Sequence, residues 1–184
     1  MCYYYTVFLL TCLTMMFMQR FGESVLGDET VPLAAPSTNC TSKCKGTDCH
    51  SNCTGPMSAA SAVGFNATAV TIGELSTVEC YGPFCRAACD GVINVCMSKC
   101  AGRSCEALCR SASCLTFSSG HVSTSSCLGH RCFANCTGDG CISLCEGTDC
   151  KAECHAKNCH AHCDGAACDS LCKGPLCSQS ASRL

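Results

Sequence analysis

The longest apolar stretch stands at the start of the chain. Tyr3 to Met18, YYYTVFLLTCLTMMFM, is an uncharged run of 16 residues. That length suits the hydrophobic segment of a secretory signal peptide and is short for a membrane span. Small residues at Val25 and Gly27 place the cut after Gly27, so residues 1–27 are expected to be removed. A short signal anchor is the alternative. Beyond Gly27 the dominant apolar residue is cysteine, recurring every four and then every five residues. The unit is nine residues long, Gly-x-x-Cys-x-x-x-Cys-x, and such self-similarity signals a repeat array.

Gly usually holds the second place of the four-residue gap, as in KGTD, YGPF, AGRS and TGDG; RSAS and HAKN depart from this. The three-residue gap avoids Gly and Pro and favours helix formers, as in RAA, EAL, KAE and MSK. This predicts a small disulfide-rich fold: an array of short helical turns, one per Cys-x3-Cys-x4 unit, joined by Gly turns, with little β structure. One continuous helix is disfavoured by a Gly every nine residues, at about 1 kcal/mol each. A β-solenoid is disfavoured because β-branched residues are scarce and strict alternation is not evident.

The cysteines beyond Gly27 divide the chain. After a spacer (28–39) come block one (40–53: Cys40, Cys44, Cys49, Cys53), a Cys-free stretch (54–79), and block two (80–114: Cys80, Cys85, Cys89, Cys96, Cys100, Cys105, Cys109, Cys114). A Ser-rich stretch (115–126) precedes block three (127–177: Cys127, Cys132, Cys136, Cys141, Cys145, Cys150, Cys154, Cys159, Cys163, Cys168, Cys172, Cys177) and a tail (178–184). The Cys-free stretches read as linkers.

Of 26 cysteines, 24 lie beyond Gly27, and the block counts of 4, 8 and 12 are all even. Leu, Ile, Val and Phe make up only about 15% of that part, too few for an ordinary core. All 24 are therefore disulfide candidates in a secreted, extracellular protein. Two connectivities stay open. Closing each Gly gap would consume blocks two and three completely, with 44–49 nested inside 40–53 in block one; a ladder would join successive repeats instead. Asn39, Asn52, Asn66 and Asn135 head N-glycosylation sequons. Asn66 is the strongest, because the other three have Cys in the middle place.

Net charge beyond Gly27 is −2 without runs of either sign, which recommends neither nucleic acid nor a membrane as partner. GxSxG, HExxH, a Walker loop and a dinucleotide fingerprint are all missing from the sequence, so no enzyme and no cofactor are expected. Thr does not keep the nine-residue register that an ice-binding ladder needs. Metal binding is the sharpest alternative: His155, His160 and His162 cluster among cysteines and offer borderline-soft nitrogen ligands. Cys-x-Cys and Cys-x-x-Cys pairs do not occur.

Two resemblances bear on these readings. Block one, Cys-x3-Cys-x4-Cys-x3-Cys, resembles the plant α-hairpinins, which implies two short helices bonded outer to outer and inner to inner. A signal peptide followed by poly-cysteine repeats with some His is similar to the secreted poly-cysteine metalloproteins of parasitic nematodes, which implies metal binding. The tail here, SQSASRL, has no His. The expectation is a non-enzymatic, secreted, disulfide-stapled repeat protein with a structural role or an extracellular protein or matrix partner. A toxin-like or protease-inhibitor effector is a third reading, resting on Val92 and Ile93 in the Cys89–Cys96 gap.

Overall fold

The computed structural model describes residues 39–91 and 95–182. The expected signal peptide, most of the spacer, Val92 and Ile93 lie outside the described residues. No helix forms among the described residues. The described residues form a parallel β-solenoid of eight coils, and this corrects the expected array of helical turns.

Each coil contributes two strands. The longer ones are β1 (Asn39–Lys45), β3 (Met57–Val63), β5 (Leu75–Tyr81), β7 (Val95–Ala101), β9 (Ser113–Ser119), β11 (Arg131–Thr137), β13 (Asp149–His155) and β15 (Ala167–Lys173). They stack in that order into one parallel sheet. The shorter ones are β2 (His50–Thr54), β4 (Thr68–Ile72), β6 (Arg86–Asp90), β8 (Glu106–Arg110), β10 (Thr124–Leu128), β12 (Ile142–Glu146), β14 (His160–Asp164) and β16 (Ser178–Ser182). They form the second sheet. Registers such as Cys132↔Cys150 and Cys145↔Cys163 set the coil at 18 residues, twice the nine-residue unit. The coil between β5 and β7 is two longer, with Ser76 facing Cys96. The Cys-free stretches 54–79 and 115–126 are not linkers; they hold β3, β4 and most of β5, and then most of β9 and the first part of β10, in unbroken register.

The reason lies in the residue between the cysteines. A spacing of four puts two side chains on one face of either a helix or a strand. The residue midway separates the two cases, because only in a strand does it share that face. In every Cys-x3-Cys segment it is Ala or Ser: Ser42, Ser51, Ala87, Ser98, Ala107, Ala134, Ser143, Ala152, Ala161 and Ser170. The alternation is therefore one of size, with Cys, Ala or Ser, and Cys pointing inward, and larger or polar residues outward. Burial follows it, as in β7 (buried at Cys96, Ser98 and Cys100) and β12 (buried at Ser143 and Cys145). β-Branched residues are scarce because the interior between the sheets is narrow; Val78, Thr71 and Thr116 are the largest fully buried side chains.

The corner after most of the longer strands follows Gly-x-x-Cys; Ala67 and Ser123 take the Cys place after β3 and β9, and Ala156 the Gly place after β13. Its Gly has a positive φ, as at Gly102 (+153°), and the second residue after it is left-handed, as at Asp48 and Ser104 (φ 53° and 54°). Corners stack by backbone bonds such as Gly82 N–H to the Ala101 carbonyl (2.9 Å) and Gly102 N–H to the Ser119 carbonyl (2.8 Å). A side chain at Gly102 would press on the Gly82 carbonyl below it, so the stack itself excludes one.

Candidate functional site

Strand alternation delivers the sulfurs to the interior in two columns, one at each kind of corner. Ten disulfides join them. At the Gly-x-x corners they are 44–49, 80–85, 100–105 and 172–177; at the opposite corners they are 89–96, 109–114, 127–132, 145–150 and 163–168. Cys40–Cys53 joins the two strands of the first coil. Their Cα atoms lie 5.6–6.0 Å apart, inside the range a disulfide spans. Corners without sulfur lose both members together: Ala62 and Ala67, Ser118 and Ser123, Thr71 and Ser76. Each pair is buried, so these three corners are filled by two small residues in place of a disulfide.

Four candidate cysteines are unbonded: Cys136, Cys141, Cys154 and Cys159. They belong to two successive corners, 136–141 and 154–159, and form one buried group. The Cys141 and Cys154 sulfurs are 3.0 Å apart, and Cys141, Cys154 and Cys159 lie mutually within 4.8 Å. Ser118 donates a hydrogen bond to the Cys136 sulfur at 3.1 Å. Hydrogen bonds from Cys141 and Cys154 draw the Cys136 thiol down to about 3 against the effect of burial, with smaller help from Ser118 and Ser123. The same contacts push Cys141 and Cys154 up. These corners also depart from the corner sequence: Gly140 fills a place held elsewhere by larger left-handed residues, and Ala156 replaces the corner Gly.

The histidines do not converge on these thiols. His155 ends β13 on the longer-strand face, 3.5 Å from Glu153. His160 and His162 point outward from β14, stacked 6.2 Å apart, each 2.7 Å from a β16 serine, Ser178 and Ser180. Alternation turns their Cys159 and Cys163 neighbours inward. Asn39, Asn52 and Asn66 are exposed; Asn66 sits at a left-handed corner and donates to Asp48 at 2.6 Å. Asn135 is half-buried and donates to Glu153 at 3.3 Å.

The outward faces carry residues that sequence reasoning overlooked. On the shorter-strand sheet, Val70, Ile72, Arg86, Ala88, Asp90, Leu108, Arg110 and Leu128 line a shallow groove. Arg86 and Glu106 are ladder neighbours joined by a 3.3 Å ion pair, and Asp90 stands beside Arg110 at the other end of the same two strands. Aligning the sequence at 18 residues rather than nine, with two extra residues allowed between Cys89 and Cys96, would have put these side chains in register. On the longer-strand sheet, Phe117 and Phe133 lie 5.9 Å apart and Lys99 sits over the Tyr81 ring.

No protein-family model, curated protein or solved structure matches this chain. The class is that of an extracellular-type, disulfide-stabilised repeat protein, defined by its coils and sulfur columns.

Proposed function

We propose that the chain is a secreted, non-enzymatic rod whose disulfides hold two flat faces in place for contact with an extracellular partner. The observation that carries this reading is the run of ten disulfides, which staples coils too thin to own a conventional core. Extensive disulfide bonding belongs to oxidising compartments. Intact mass of the secreted protein, alkylated without reduction and freed of glycans, tests it. Ten or more disulfides, with no more than the four unbonded cysteines alkylated, is the expected result. The β-type far-UV spectrum should also collapse on reduction. A largely alkylated protein with an intact spectrum refutes the rod.

One observation favours a second reading, in which the four unbonded thiols bind a soft metal. Thiolates suit zinc and cuprous copper, and three of the sulfurs lie close enough to share one ion. Stoichiometric zinc or copper in the purified protein, with alkylation of four thiols only after chelation, would carry it. A metal-free protein with all 24 sulfurs oxidised would end it.

A further inference from the structure

The shorter-strand sheet bears a charge pattern that is complementary to itself. On β6 and β8 the outward side chains are Arg86, Ala88 and Asp90 facing, in ladder register, Glu106, Leu108 and Arg110. A twofold axis parallel to the strands and passing between β6 and β8 would bring β6 of one copy against β8 of another. Arg86 then meets Glu106 of the second copy, and Asp90 meets Arg110. Leu108 enters the notch above Ala88 in the groove. One strand further out β4 meets β10, placing Ile72, 52% exposed, against Leu128, 38% exposed. Thr68 meets Thr124 and Val70 meets Ser126. No like charges oppose one another in these four strands. Among the described residues of the longer-strand sheet, no two neighbouring strands carry opposite charges at both ends.

We propose that this face is a homodimer interface, occupied by a second copy of the chain related by that axis. Overlap of β2 through β12 spans six strands of five residues, about 30 Å by about 16 Å at ordinary strand spacings. That is roughly 500 Å² per partner and about 1,000 Å² in total, at the lower limit for a specific interface, so the dimer is concentration-dependent. Charge complementarity at the centre sets the register, and the small-against-large fit of Ala88 and Leu108 supplies the packed middle. The inference goes beyond the rod reading and uses only outward side chains, so the redox or metal state of the interior leaves it untouched.

Sedimentation velocity on the secreted, deglycosylated protein tests it, between about 1 and about 100 μM, the range in which small interfaces dissociate. The wild-type chain should pass from monomer to dimer. Arg86→Glu sets two carboxylates against each other at this contact, and Glu106→Arg sets two guanidinium groups against each other there. Each variant should dissociate at least tenfold more readily, with an unchanged far-UV spectrum. Mixing the two variants restores opposite charges across the axis and should return a heterodimer. A wild-type chain that stays monomeric overturns the proposal. So do single variants that dimerise as the wild type does, or a mixture that stays monomeric, because those charges would then not face each other across this axis.

Discussion

Replacing Gly102 by Ala tests whether the stacked corners, rather than local turn preference, demand glycine. Gly46 is the control. It occupies the same place in the first coil with nearly the same backbone, φ +142° against +153°. Alanine at either site bears the cost of a conformation that side chains resist, about 1–3 kcal/mol. At Gly46 the added methyl meets nothing within 4 Å, whereas at Gly102 it would fall 2.0 Å from the Gly82 carbonyl oxygen. Relieving that overlap moves the two corners apart by more than about 1 Å, since ordinary carbon–oxygen contacts begin beyond about 3 Å. Two bonds hold them together, Gly82 N–H to Ala101 and Phe84 N–H to Arg103, at 2.9 and 2.8 Å. Losing both costs about 2 kcal/mol, because these half-exposed groups regain water. Gly102→Ala should therefore be about 2 kcal/mol less stable than Gly46→Ala, roughly thirtyfold in the unfolding equilibrium. Guanidinium titration followed by far-UV dichroism, without reductant, measures both. Equal losses at the two sites would refute stacking as the reason for the corner glycines.

Closing the empty corner at Ala62 and Ala67 with two cysteines should form an eleventh disulfide, because its stack neighbours 44–49 and 80–85 are both bonded. The gain should be about 2 kcal/mol for a loop of this length, read from the unfolding midpoint together with the intact mass. With Cys136, Cys141, Cys154 and Cys159 reduced, one thiolate absorbance should persist well below neutral pH and vanish in Cys136→Ser, since the Cys136 thiol is drawn to about 3. Its folded value lies below the unfolded 9.0, so its contribution is complete above pH 9 and is lost as pH falls through about 3. Cys141 and Cys154 are shifted upward and act in the opposite sense, so their effect lowers stability as pH rises beyond 9.

The nine-residue unit, the corner glycines and the disulfide chemistry were legible in the sequence. The strand was not, because i and i+4 share a face at periods of both 2 and 3.6. Segments such as Cys105-Glu-Ala-Leu-Cys109 contain good helix formers, and that local preference pointed the wrong way. What overrides it is the parallel stack, in which every coil bonds to the next, as Cys109↔Cys127 and Cys127↔Cys145 do. Ala107 carried the decisive signal as a small residue between two cysteines, yet elsewhere Ser fills the same place, as at Ser98 and Ser143, and hydropathy sets Ser apart from Ala and Cys. The Cys-free stretches misled for the same reason: Ala60, Ala62, Ala67 and Ala69 are fillers of the same interior. The four-thiol group was hidden as well, since no spacing distinguishes corners 136–141 and 154–159 from their bonded neighbours.

The mixture of stapled and unstapled corners makes stability uneven along the rod. The coil of β3 and β4 has no cysteine; its interior is Ser58, Ala60, Ala62, Ala67, Ala69 and Thr71, and Thr71 has no hydrogen-bond partner for its buried hydroxyl. Such small side chains bury little area, so this coil is held chiefly by ladder bonds to its neighbours. The coil of β7 and β8 is closed at Cys89–Cys96, Cys100–Cys105 and Cys109–Cys114. Each short closed loop removes about 2 kcal/mol of chain entropy from the opened state. Amides of β3 and β4 should therefore exchange at least about thirtyfold faster than those of β7 and β8 under native conditions. Exchange followed by mass spectrometry, with quench conditions that reduce the disulfides after labelling, resolves the two coils. Equal protection would mean that the coils open together, and that backbone stacking outweighs the disulfides in holding the rod.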